Sequence, residues 1–146
     1  MKSKITKLWI VMILTSITFN VNAQNRKIPK EQIPEKINTY IATYFPKNTV
    51  LKASFDDHPV YKKYEISLSD KVSLEFRPDY KIKEIKSKSK LPDEVIPVKI
   101  LEYVKSNYPN NVITDWELDD GNQKIELDNG LDIEFTLKGQ FIRVEN

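Results

Sequence analysis

Residues 33–48, IPEKINTYIATYFPKN, return at residues 96–111 as IPVKILEYVKSNYPNN. Ile33, Pro34, Ile37, Tyr40, Ile41, Phe45, Pro46 and Asn48 are answered by Ile96, Pro97, Ile100, Tyr103, Val104, Tyr108, Pro109 and Asn111, always 63 positions later. A constant offset marks an internal repeat, and each copy is then one supersecondary unit. Beyond the acid pairs Asp56-Asp57 and Asp119-Asp120 the offset falls to 59. There Ile66, Leu68, Leu74, Glu75 and Phe76 match Ile125, Leu127, Ile133, Glu134 and Phe135, so the first copy holds a hairpin loop four residues longer.

The quoted stretch reads as a helix of about three turns. Its apolar residues fall at helical spacing, with Pro34 or Pro97 at the tolerated first turn and Pro46 or Pro109 just past the end. The period then changes to two. Leu51, Ala53 and Phe55 alternate, as do Val112, Thr114, Trp116 and Leu118, which predicts a strand with one apolar face and Trp116 turned to the core. Tyr64, Ile66 and Leu68 lead through Ser69-Asp70-Lys71 into Val72, Leu74 and Phe76. Ile125 and Leu127 lead through Asp128-Asn129-Gly130 into Leu131, Ile133, Phe135 and Leu137, and Asn-Gly between alternating runs is a strong hairpin signal. A last strand follows in each copy, Lys81 to Ile85 and Phe141 to Val144. One helix covers one face of a four-stranded meander. The expectation is an α+β fold: two tandem helix-strand-strand-strand-strand repeats forming one antiparallel sheet of about eight strands, both helices on one face and the other face open.

Lys2, Lys4 and Lys7 precede an apolar run from Leu8 to Phe19, and Val21-Asn22-Ala23 has the small or aliphatic residues that signal peptidase reads. Residues 1–23 are expected to be a signal peptide, 24–32 an N-terminal tail, 33–90 the first repeat with a basic tether, and 91–146 the second repeat. The apolar run falls short of the roughly 20 residues that span a bilayer. The expectation is a periplasmic or secreted product with no stable membrane span after cleavage near Ala23. Lys86 to Lys90 alternates Lys and Ser and reads as a flexible tether. The chain has no cysteine, which removes thiol chemistry, and its one histidine, His58, reads as a turn residue before Pro59.

Tyr108-Pro109-Asn110-Asn111, the strand after it, Asp119-Asp120-Gly121, Ile125-Glu126-Leu127-Asp128-Asn129-Gly130, Ile133-Glu134-Phe135 and the closing Gly139 together resemble the PepSY-like, beta-lactamase-inhibitor-like domains of exported Bacteroidota proteins. The resemblance covers nearly all of residues 24–146, with Lys71 where Gly130 falls and Tyr80 where Gly139 falls. It implies the fold just derived, an exported location and a binding or inhibitory module rather than a catalyst.

Strand alternation sends Asp115, Glu117, Glu126, Asp128, Asp132 and Glu134 to the face away from the helices. Residues 97–146 carry ten acidic and five basic side chains, net −5, while residues 24–96 carry eleven acidic and fifteen basic, net +4. The acidic face is either a solvated surface that discourages aggregation or a site for a basic partner, a divalent cation or the basic half of another copy. Head-to-tail self-association is the corresponding expectation. Asp115, Glu117, Asp119 and Glu126 fall at positions 1, 3, 5 and 12 of a calcium loop. Asp120 stands where the sharp turn needs Gly, so Asp119-Asp120-Gly121-Asn122 reads as a hairpin turn and no metal ligand is assigned.

No motif calls for a cofactor or names a reaction: there is no nucleophile elbow, no phosphate-cradling loop in a chain with three glycines, and no Ser and His in recognisable relation. Near neutrality after cleavage, and a basic tether without aromatics, exclude nucleic acid. The reading is a non-catalytic binding module that presents an open sheet face to an envelope or extracellular protein or polymer. A carboxylate hydrolase built on Glu126 and Glu134, or a self-assembling envelope protein, are the alternatives.

Overall fold

The computed structural model describes residues 25–119 and 121–145; the expected signal peptide lies outside them. In chain order the elements are β1 (Asn25–Lys27), α1 (Glu35–Tyr44), β2 (Val50–Asp57), β3 (Lys62–Leu68), β4 (Ser73–Phe76), β5 (Ile82–Lys86), α2 (Val98–Asn107), β6 (Ile113–Asp119), β7 (Asn122–Leu127), β8 (Asp132–Thr136) and β9 (Phe141–Glu145). The strands form one open antiparallel sheet in sequence order, each paired only with its chain neighbours. The repeats join where β5 meets β6, with Glu84 opposite Glu117, Ile85 opposite Trp116 and Lys86 opposite Asp115.

Both helices begin directly after a proline, whose ring pre-sets φ and whose missing N–H is not needed there. Ile37 and Ile41 of α1 and Ile100 and Val104 of α2 are buried against the inward residues of the sheet, in one shared core. The repeats use matching aromatic contacts: Tyr40 meets Phe76 edge-on at 5.3 Å between ring centroids, and Tyr103 meets Phe135 likewise at 5.3 Å. Trp116 is buried, as its place in the alternation predicts.

Four features depart from the expected pattern. β1 lies inside the expected N-terminal tail and adds a ninth strand, with Asn25 opposite Asp56 and Lys27 opposite Ser54. Asn-Arg-Lys has no apolar residue, so only backbone pairing reveals it. The stretch after β5 is tied down rather than left as a tether: Ser87 N–H donates to Thr114 O and Leu91 N–H to Ile113 O, each at 2.9 Å. Bulges shift the alternation in β2 and β6, between Val50 and Lys52 and between Ile113 and Asp115. Leu51 is therefore exposed, and Ile113 rather than Val112 or Thr114 is the buried residue. Finally, Leu137 lies past the end of β8 and is exposed.

In both copies each three-residue hairpin loop ends on a residue of positive φ without using the same residue, and in the first copy Asp70 adds a second, at 58°. Gly130 and Gly139 have φ of 81° and 75°, and Lys71 and Tyr80, their counterparts, adopt 60° and 67°. A Cβ on Gly139 would lie 2.9 Å from Lys99 Cβ. At Tyr80 the counterpart lysine, Lys36, instead places its ammonium over the ring, 5.9 Å from the centroid.

Candidate functional site

The face away from the helices is organised in rows that run across the sheet, because in-register pairing stacks one residue of each strand beside the next. One row reads Ser54, Glu65, Glu75, Glu84, Glu117, Lys124, Glu134 and Arg143. Four consecutive strands, β3 to β6, thus place glutamates side by side. Like charges directly opposite one another are destabilising, so the arrangement needs cations between them.

Lysines supply them. Lys63 reaches Glu65 and Glu75, both at 2.8 Å. Lys83 reaches Glu75 at 3.3 Å and Glu117 at 3.9 Å. Lys86 pairs with Glu84 and, at 3.5 Å, with Asp115. Lys83 reaches this face because β5 carries a bulge where Phe76 pairs with Ile82 and Glu75 with Glu84, leaving Lys83 as the extra residue. The second repeat has the same bulge in β9, where Ile142 is the extra residue and is exposed. Burial pulls the Lys63 ammonium down, but Glu65 and Glu75 together hold it above the usual lysine range.

The neighbouring row reads Lys52, Ser67, Ser73, Lys86, Asp115, Glu126, Asp132 and Glu145. It begins with a cation, Lys52, and ends with four carboxylates on consecutive strands. Lys124 reaches across to Asp132 at 2.9 Å and Glu145 at 3.3 Å. Arg143 holds Glu134 at 2.8 Å and Glu145 at 2.7 Å, and Asn122 Nδ2 donates to Glu134 at 2.6 Å. Burial, then the neighbouring Glu84 and Glu117, push the Asp115 carboxyl up to about 6 against the pull of Lys86. Burial and Glu84 push Glu117 upward as well.

Of the six carboxylates singled out from the sequence, Asp115, Glu117, Glu126, Asp132 and Glu134 share this face. Asp128 does not. It sits in the loop after β7, where its Oδ1 accepts from Asn111 Nδ2 at 2.8 Å and from Val112 N–H at 3.3 Å, fastening the hairpin to the segment between α2 and β6. The matching contacts in the first repeat run from Asn48 Nδ2 to Ser69 O at 3.0 Å and Asp70 Oδ2 at 3.2 Å. Sequence alternation misplaces Asp128 because a strand that ends one residue earlier looks the same in the pattern.

Glu65, Glu75, Glu84, Lys63, Lys83, Lys86, Lys124 and Arg143 were not anticipated as part of the face. The 59-residue offset pairs Glu75 with Glu134 and was a usable signal for Glu75; the register needed for the others is invisible before the bulges are placed. A cleft of about 120 Å³ lined by Lys86, Asp115, Glu117, Lys124, Glu126 and Asp132 lies in this acidic half. It is well below the roughly 300–1,000 Å³ of small-molecule sites. Among the described residues no group of three or more His, Asp or Glu side chains is disposed to hold a metal ion. His58 accepts from Val60 N–H at 3.2 Å and stacks on Tyr61, a turn arrangement.

Comparison with known proteins places this geometry in a family. A family described as "Putative beta-lactamase-inhibitor-like, PepSY-like" matches the chain twice, over residues 19–84 and 62–143. The chain belongs to this PepSY-like family. Among solved structures, a protein of Bacteroides thetaiotaomicron described as "a putative calcium-regulated periplasmic protein" superposes with a TM-score of 0.79 at 27% identity. The alignment covers 84% of this chain and 97% of that one. A Bacteroides vulgatus protein described as "a putative periplasmic protein" of the DUF2874 family gives a TM-score of 0.79 at 29% identity, covering 86% and 99%. A second Bacteroides vulgatus protein, at 24% identity and a TM-score of 0.75 over 80% and 94%, shares the fold. No curated protein matches. Among the described residues of this PepSY-like chain no helix is long and apolar enough to cross a membrane.

Proposed function

We propose that this PepSY-like protein is an exported, non-catalytic binding module, released to the periplasm or beyond after cleavage near Ala23, whose open sheet face docks a protein or polymeric ligand. The observation that carries this reading is the glutamate row of Glu65, Glu75, Glu84 and Glu117 with its interleaved lysines. It is a broad, strongly polar surface held in fixed register by the sheet across four consecutive strands, an extent suited to a large partner. The family's inhibitor-like description and the periplasmic neighbours agree with it. A hydrolytic reading built on Glu126 and Glu134 has less support, because Glu134 is already held by Arg143 and Asn122.

The test is affinity capture from an envelope fraction using residues 24–146, followed by association kinetics with the captured partner. The comparison protein carries Asp115→Asn, Glu117→Gln and Glu126→Gln, leaving Asp128 in place to hold its loop. Slower association and a flatter salt dependence in the triple variant support the face. Unchanged rates and salt slope refute it. A calcium titration of partner binding, prompted by the description of the Bacteroides thetaiotaomicron neighbour, asks in the same experiment whether this chain responds to that ion.

A further inference from the structure

The internal repeat says what belongs on the open edge of the sheet. β9 is the counterpart of β5: Phe141, Arg143 and Glu145 correspond to Ile82, Glu84 and Lys86 at the 59-residue offset, and the bulge recurs at Ile142 in place of Lys83. The outer edge of β5 is covered by β6, the strand that follows the second helix. Among the described residues no strand lies on the outer edge of β9, and Phe141, Ile142 and Val144 are all exposed there. The counterpart of β6 in the first repeat is β2, and Lys52, Ala53 and Ser54 stand where Asp115, Trp116 and Glu117 stand in β6.

We infer that copies of this chain associate head to tail, β9 of one copy pairing with β2 of the next in the register that β5 keeps with β6. This goes beyond the face reading and does not depend on it. Transposing the internal junction sets Arg143 opposite Ser54 of the next copy, Val144 opposite Ala53 and Glu145 opposite Lys52. The charges fit. The internal junction pairs Lys86 with Asp115 at 3.5 Å, and the intermolecular one pairs Glu145 with Lys52, the same contact with its signs exchanged. The row that starts at Lys52 and ends at Glu145 would then run on from copy to copy, its acidic end always meeting its basic start.

β1 is the strand that must yield. It is three residues long and holds β2 at Ser54 to Asp56, with Ile28 N–H reaching Ala53 O at 2.9 Å. It acts as a cap of the kind that ends a repeat array. Its Lys27 faces Ser54, where Arg143 of the incoming copy would place another cation. Unpairing so few residues at the sheet margin costs little compared with opening any interior strand. Ser54 Oγ and Asp56 Oδ1 are buried on β2 without hydrogen-bond partners, so β1 leaves polar groups on this strand unsatisfied.

Charge exchange tests the pairing without touching the core, since Lys52 and Glu145 are both outside it. Sedimentation velocity over rising concentration should show the mass of the parent protein increasing. Lys52→Glu alone and Glu145→Lys alone should each weaken association about tenfold, and the two together should restore it. Cysteine placement fixes the register, because the chain has no cysteine of its own. β2 and β9 lie seven strand spacings apart, about 34 Å, so a bond between them cannot form within one copy. An equimolar mixture of the Lys52→Cys and Glu145→Cys proteins should form a disulfide-linked heterodimer under mild oxidation, and neither protein alone should cross-link at that rate. A parent protein that stays monomeric to about 1 mM overturns the inference, as does Glu145→Cys cross-linking to itself as fast as the mixture, or failure of the double charge exchange to restore association.

Discussion

Trp116 Nε1 donates to Gln123 Oε1 at 3.0 Å, and Gln123 Nε2 in turn donates to Thr136 O at 3.1 Å and Leu137 O at 3.2 Å. A buried glutamine thus ties β6 through β7 to the end of β8. The first repeat has Ala53 and Tyr64 at the corresponding places, with Tyr64 packed on Phe55 and Tyr80 instead. The second repeat fills with an indole and a hydrogen-bonded amide the space that the first fills with an aromatic cluster.

Trp116→Ala is expected to destabilise the protein by about 3 to 5 kcal/mol, the usual cost of truncating a buried aromatic. The larger end of that range is expected because Gln123 also loses its donor. Urea unfolding measures it, and a loss under about 1 kcal/mol would contradict the packing described.

Asp115→Asn tests the electrostatics of the face through pH. The folded carboxyl keeps its proton up to about pH 6, whereas an ordinary aspartate releases it near 3.8. Between those values the folded state binds more protons, so this group's contribution to stability falls as pH rises and its burden is complete above 6. The amide removes that burden. The variant should gain on the parent at pH 8 by about 1 kcal/mol after allowance for solvent screening, with the advantage shrinking toward pH 4. Paired denaturation curves at the two pH values read the difference, and a constant offset would refute it.

Glu75 sits between Lys63 and Lys83 with its side chain only 13% exposed. Glu75→Ala strands part of that positive charge and should cost about 1 to 3 kcal/mol. Repeating the measurement in high salt should leave most of that loss, because the pair is shielded from screening ions.

Lys71→Gly should stabilise the protein by about 0.5 to 1 kcal/mol. Lys71 is exposed and held at φ 60°, a conformation that glycine adopts without a side-chain penalty, as Gly130 already does in the second repeat. Thermal unfolding with and without the substitution decides it.

Much of this architecture was legible because the chain states it twice. The matched Ile37 and Ile100, Tyr40 and Tyr103, and Phe76 and Phe135 are enough to imply two helices over one sheet. The limits are equally specific. β1 escaped notice because Asn25, Arg26 and Lys27 carry no periodicity. Leu51 and Thr114 were assigned inward because a bulge adds one residue without leaving a trace in composition. The face was read as acidic because carboxylates were collected from one half alone, while its character comes from pairing across β3 to β6, where Lys63, Lys83 and Lys86 enter. Register depends on bulges, and a bulge is a backbone event that several sequences can satisfy.

The order of the sheet has a temporal meaning. Every strand pairs with the strand made just before it, so each new pairing closes only a short loop or the span of one helix, and the entropic cost of closure stays small throughout. Sheets that must bring distant segments together wait for the whole chain; this one does not. The first repeat can zip, strand upon strand, while the second is still arriving, and when β6 emerges the edge of β5 is already there as its template.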